Sequence, residues 1–164
     1  MINSKTTRTA LKVAKELSPI LDWCKVGLEL FSIAGPNILQ DLKKLGYNVL
    51  TPYGDCERYD YVVDAGNKFY RVQSKTSHSK DNGASFVFSG RSCHRKGGKI
   101  IHHQYTNKEI DYFVTSFNGK CYLIPVEECG SNKNLRILPT TNGQERGVTL
   151  AKDYELEEVV KRWS

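Results

Sequence analysis

The spacing of apolar positions along this chain changes once, at Gly46. Before it, LKVAKEL and ILQDLKKLGY carry apolar residues three and four apart, so Thr7 to Leu45 reads as helical. Pro19 and the Gly35-Pro36 pair divide that stretch, because proline removes an amide donor and crowds the preceding turn. Gly46 stands where a left-handed residue closes a helix.

After Gly46 the spacing is that of strands. YNVL is a short strand closed by Pro52, and the GDCER loop leads into YDYVVDA, rich in β-branched and aromatic residues. Gly66-Asn67 predicts a two-residue hairpin turn from which KFYRVQSK returns antiparallel. A strand is expected at ASFVFS after the Asp81-Asn82-Gly83 turn, and DYFVTSF and KCYLIPV flank Asn118-Gly119, a strong hairpin signal. YELEEVVKRW reads as a short amphipathic helix with Trp163 packing inward. The order predicts one α/β domain over residues 1–164, N-terminal helices followed by a central mixed sheet with flanking helices, with residues 1–24 as an N-terminal helical extension.

Composition narrows the function classes. No apolar run approaches the roughly 18 residues of a membrane span, and Met1 to Lys15 has no apolar stretch ending in a cleavage site, so a soluble cytoplasmic protein is expected. Five cysteines without a CxxC spacing suit reduced thiols. Cys93, His94, His102 and His103 are the nearest approach to a zinc pattern, yet their spacing fits no structural zinc module, and solvated or phosphate-facing side chains are the simpler reading. Net charge is +6, which favours a polyanionic partner. The segment RSCHRKGGKIIHH concentrates that charge in Arg91, Arg95, Lys96 and Lys99, with three histidines and no acid. Its Gly97-Gly98 pair can bring backbone close to phosphate, which favours a nucleic acid over a merely solvated basic face; in phosphate contacts Lys80 would join these four.

One constellation carries chemistry. Phosphodiester hydrolysis needs a divalent cation on hard oxygen ligands, a positioned water, and positive charge near the developing phosphorane. With the turn at Gly66-Asn67, residues whose numbers sum to about 133 face each other, which sets Asp60 opposite Gln73. Lys75, two residues further along, projects from the same face as Gln73. Asp60 and Gln73 are therefore the candidate metal ligands, with the Ser74 carbonyl as a further oxygen, and Lys75 orients water and offsets transition-state charge. Taken one at a time, Asp60 could be an exposed strand residue and Lys75 an edge charge that discourages aggregation. Tyr53 and Arg58, flanking the loop before Asp60, either touch substrate backbone or support the hairpin.

The stretch GYNVLTPYGDCERYDYVVDAGNKFYRVQSKT resembles the PD-(D/E)xK nuclease family that includes group I intron-encoded homing endonucleases of cyanobacteria. GRSCHRKGGK, YTNKEIDYFVTSF, CYLIPVEECG, LRILP and NGQERGVTLAKDYEL follow in the same order, so the likeness covers about residues 45–156. In that family the second ligand position is often Gln, as at Gln73. The resemblance implies an Mg²⁺-dependent, or Mn²⁺-dependent, double-strand endonuclease that acts as an oligomer, a homodimer or homotetramer, on long, near-symmetric sites. It also implies an acid on the first helix, at a register that falls on Gly35 here. Glu29 is the nearest upstream acid and the candidate fourth catalytic member; the alternative for it is a helix-surface carboxylate. Two rival readings are a DNA-binding protein on a degenerate nuclease fold, without chemistry, and a structure-specific nuclease such as a junction resolvase.

Overall fold

The computed structural model describes residues 38–54, 57–140, 143–144 and 146–163. The expected helices upstream of residue 38, with Glu29 and the N-terminal extension, lie outside these described residues.

Helix α1 (Ile38–Lys44) buries Ile38 and Leu42, four apart on one face. It ends as its sequence predicts. Gly46, at φ +89°, lets its own N–H reach the Lys43 carbonyl and the Tyr47 N–H reach Leu42, the paired bonds of a Schellman cap. Strands β1 (Asn48–Leu50), β2 (Tyr61–Asp64) and β3 (Phe69–Ser74) follow as an antiparallel meander. β3 then pairs in parallel with β8 (Tyr112–Phe117), and β8 pairs antiparallel with β9 (Lys120–Pro125). The result is a five-stranded mixed sheet in the order β1-β2-β3-β8-β9.

The apolar runs of β8 and β9 explain the layering, because strands covered on both faces need apolar side chains at every position. Val114, Cys121 and Leu123 point into one core with α1, helix α2 (Leu156–Val160) and Trp163. Phe113, Tyr122 and Ile124 point into a second core with Phe86, Phe88 and Leu135. That second core lies beneath a three-stranded sheet, β10-β5-β4, made of β4 (His78–Lys80), β5 (Ser85–Ser89) and β10 (Asn132–Arg136). β3 is different. Tyr70 and Val72 are buried while Arg71 and Gln73 on its other face are only half-covered, so the polar face of the β2–β3 hairpin stays open.

Three features differ from the expectation. Between β5 and β8 the basic segment forms a separate two-stranded ribbon, β6 (Arg91–Lys96) with β7 (Lys99–Gln104), where the sequence offered only a cationic run. β4 and β10 were also unforeseen, because HSK and NKNLR are polar and acquire strand structure by pairing with β5. The C-terminal segment is a 3-10 turn at Ala151–Tyr154, then α2, then a 3-10 turn at Lys161–Trp163, rather than one helix. Trp163 packs as expected, stacked on Tyr70 at 4.3 Å between ring centroids. Among the described residues no helix is long and apolar enough to cross a membrane.

Candidate active site

Cross-strand register builds the centre. Tyr61 faces Val72 and Val63 faces Tyr70, the register the turn position predicts. The Asp60 N–H donates to the Val72 carbonyl at 2.9 Å and so continues the ladder one residue past β2. This sets the Asp60 carboxylate beside β3. Its Oδ2 accepts the Ser74 N–H at 2.8 Å and the Gln73 side-chain amide at 2.5 Å. The same Gln73 nitrogen lies 3.3 Å from the Ser74 carbonyl.

Lys75 is held from both ends. Its N–H donates to the Val114 carbonyl at 2.8 Å, extending the β3–β8 pairing, and its Nζ donates to the Arg91 carbonyl at 3.1 Å. The ammonium also lies 4.7 Å from the Tyr105 ring centroid and 6.0 Å from that of Phe113. Burial lowers the Lys75 pKa, the Asp60 carboxylate works against that, and the Arg58 guanidinium adds to it.

Around these three stands a second tier of residues. The Tyr105 hydroxyl donates to Gln73 Oε1 at 3.3 Å, and the Arg58 guanidinium lies 4.3 Å from the centroid of the Tyr105 ring. Arg58 Nε donates to Glu109 at 2.8 Å and a terminal nitrogen donates to Ser92 Oγ at 3.1 Å. Glu109 also meets His103 at 3.0 Å and accepts the Thr106 N–H at 3.0 Å. Burial works to raise the Glu109 pKa, but the bonds from Thr106, Arg58 and His103 outweigh it and hold the carboxyl below its usual range.

Asp60, Gln73 and Lys75 thus come together as expected. Arg91 joins them through its carbonyl, whereas Arg95, Lys96 and Lys99 extend along the ribbon. Lys80 stands apart, opposite Ser85 at the far end of β5 from the ribbon. Tyr53 is fully exposed. Asp111 has a structural part, accepting the Arg71 N–H at 2.8 Å and its Nε at 3.1 Å. Tyr105, Glu109, Ser92 and His103 escaped the sequence reading as parts of the site. Only Glu109 left a local sign, the Thr-x-x-Glu spacing in which the acid reaches back to the Thr106 N–H.

The donor set fits a hard divalent cation. Among the described residues no cluster of three His, Cys, Asp or Glu is present, and the oxygens these residues offer beside a carboxylate are those of amides and carbonyls. The Asp60 carboxylate and the Ser74 carbonyl converge on one point, and the Gln73 NH₂ has been drawn into it. Turning that amide over presents its oxygen to the same point and its NH₂ to the Tyr105 hydroxyl, which can accept as well as donate. The zinc alternative meets a geometric obstacle. Strand alternation puts Cys93 and His102 on one face of the ribbon and His94 and His103 on the other.

Comparison with known proteins bears on the fold and the family. A bacterial homing endonuclease, I-Ssp6803I, has a similar fold, with a TM-score of 0.58 at 22% identity, over 77% of this chain and 90% of that one. Short segments are similar to orotidine 5'-phosphate decarboxylases: 55% identical over 42 residues in Dictyoglomus thermophilum, 52% over 42 residues in Dictyoglomus turgidum, and 49% over 41 residues in Lawsonia intracellularis. These segments are 26%, 26% and 25% of this chain, and 17%, 17% and 18% of those proteins. The chain thus spans about a fifth of the length of the curated relatives it matches, a length below that of a typical domain. A family model described as PD-(D/E)XK endonuclease matches residues 32–157, which takes in both sheets, the ribbon and the Asp60–Gln73–Lys75 centre. The chain belongs to the PD-(D/E)XK endonuclease family.

Proposed function

We propose that this protein is a divalent-metal-dependent endonuclease that hydrolyses phosphodiester bonds in duplex DNA at defined sequences, with Asp60, Gln73 and Lys75 as its catalytic residues. The observation that carries the reading is the Gln73 amide lodged between the Asp60 carboxylate and the Ser74 carbonyl, one strand step from Lys75. Asp60, the Gln73 side-chain oxygen and the Ser74 carbonyl would hold Mg²⁺ or Mn²⁺. When bound, such an ion offsets charge on the phosphoryl oxygens and makes water a better nucleophile.

The protein's own groups do the rest. Tyr105 steadies the Gln73 amide in either orientation, donating to its oxygen or accepting from its NH₂. Lys75 turns its ammonium from the Arg91 carbonyl toward the phosphate, where it orients the attacking water and offsets charge in the transition state. Because one centre cuts one strand, double-strand cleavage calls for at least two copies, a homodimer or homotetramer. Lys80, Arg91, Arg95, Lys96 and Lys99 would contribute phosphate contacts.

Gly35, where the family resemblance calls for an acid, favours a second reading, a DNA-binding protein without chemistry. One experiment separates them. The protein is incubated with a randomised duplex library and Mg²⁺, with EDTA in a parallel sample, and the ends are sequenced. Cut ends sharing a sequence, and only with Mg²⁺, are expected. Tight, salt-sensitive binding without cut ends would establish the second reading, and cutting confined to branched or nicked duplexes would establish a structure-specific nuclease.

A further inference from the structure

The ribbon of β6 and β7 is built unlike the rest of the molecule. Among the described residues its strands pair only with each other, separate from both larger sheets. Its base is clamped: Gln104 Nε2 donates to the carbonyls of Gly90, Cys129 and Gly130 at 3.3, 3.3 and 3.1 Å. Beyond the base every residue from Cys93 to His103 is exposed, on both faces. A sheet with two wet faces has no core to favour it, and Ile100 and Ile101, 59% and 39% exposed, are apolar residues open to solvent. Pairing of Arg95 with Ile100 and of His94 with Ile101 places one isoleucine on each face.

Charge and dimensions select the partner. The ribbon has no acidic residue between Arg91 and Gln104, and Lys96 and Lys99 face each other across its tip. Gly97 and Gly98 both take positive φ, +57° and +75°, so the tip carries no side chain and its backbone can approach another surface closely. Two paired strands lie about 4.8 Å apart, a body that enters a major groove about 12 Å wide but not a minor groove about 6 Å wide. Six residues per strand extend about 20 Å, the length of about six base pairs at 3.4 Å each. The root of the ribbon is also part of the candidate centre, since the Arg91 carbonyl holds Lys75 and Ser92 and His103 contact Arg58 and Glu109.

We propose that the β6–β7 ribbon lies in the DNA major groove and reads base edges within about six base pairs of the cut, with Ile100 and Ile101 against thymine methyl groups and Lys96 and Lys99 on phosphates or guanines. The inference rests on the reading of this chain as a DNA endonuclease. It adds where the specificity resides and which groove carries it.

The test uses the full-length protein and a duplex recovered from the cleaved fraction of a randomised library. Uracil replaces thymine one position at a time, which removes a major-groove methyl group, and inosine replaces guanine in a parallel series, which removes a minor-groove amino group. Binding and cleavage are measured for wild type and for Ile100→Ala and Ile101→Ala. The expected result is a loss of about fivefold or more for uracil at some positions within six base pairs of the cut. Inosine is expected to have little effect, and the uracil losses disappear in one or both isoleucine variants. The inference is overturned if the uracil effects are absent from that window, or persist in both variants, or if inosine carries the discrimination. It is also overturned if the variants change the oligomeric state while base discrimination is intact, which would make the ribbon a contact between copies. Absence of binding to any duplex would instead remove the endonuclease reading itself.

Discussion

The hairpins β2–β3 and β6–β7 are both tight antiparallel ribbons turned by glycine, yet they have opposite surroundings. The first is embedded. One face carries Tyr61, Val63, Tyr70 and Val72 into the core, and that burial pins its register, because a slip of one residue would exchange the buried and open faces. The second projects, and nothing apolar fixes its register; the base clamp of Gln104 and the contacts of Ser92 and His103 do that instead. On the proposed function, the embedded hairpin would position the reacting groups and the projecting one would meet the DNA. Catalytic geometry needs the first kind of support and recognition tolerates the second.

Substitutions can break this contrast. Asp60→Asn keeps the shape of the embedded site but removes its charge, and cleavage should fall about a hundredfold or more in single-turnover assays while duplex affinity changes little. Equal loss of binding and cleavage would move Asp60 from chemistry to positioning. Gly90→Ala strikes the junction between the two kinds of structure. A Cβ there would lie 2.4 Å from the Gly130 carbonyl and 2.6 Å from Cys129 Sγ, and backbone has little room to move. A loss of about 1–3 kcal/mol in urea unfolding is expected, with the ribbon base loosening first by hydrogen exchange.

Smaller effects sharpen the comparison. Tyr105→Phe leaves Gln73 Oε1 without its donor and, once the amide turns over, the NH₂ without its acceptor. A rise of several-fold in the Mg²⁺ needed for half-maximal cleavage is expected, with kcat at saturating Mg²⁺ nearly unchanged. The gentlest perturbation is pH. Glu109 has a depressed pKa in the fold, so its contribution is full above the unfolded glutamate value near 4.3 and is lost as pH falls through the lower folded value. Amide exchange at Ser92 and His103 should accelerate in that acidic window while β2 and β3 stay protected. Simultaneous loosening of both hairpins would show that they are one cooperative unit.

The same contrast governs how much the sequence disclosed. YDYVVDA, GN and KFYRVQSK gave strand, turn and register together because each position answers to a core, and from that register Asp60 could be set opposite Gln73. RSCHRKGGKIIHH has no alternation of apolar and polar residues, since both faces of the ribbon meet water, so only its charge was visible. Gly97-Gly98 is a hairpin signal, but without patterned flanks it spoke only for a close approach of backbone to phosphate. Tyr105 and Glu109 were hidden for another reason. They reach the centre through the tertiary fold, 32 residues from Gln73 and 51 from Arg58 respectively.

If Asp60, Gln73 and Lys75 form the proposed hydrolytic centre, Lys75→Ala should silence it without loosening the grip on DNA. Wild type and variant are compared on a duplex recovered from the cleaved library, measuring affinity without metal and single-turnover cleavage with Mg²⁺. Cleavage should fall at least about a hundredfold with affinity within a few-fold of wild type. Full cleavage by Lys75→Ala would contradict that assignment.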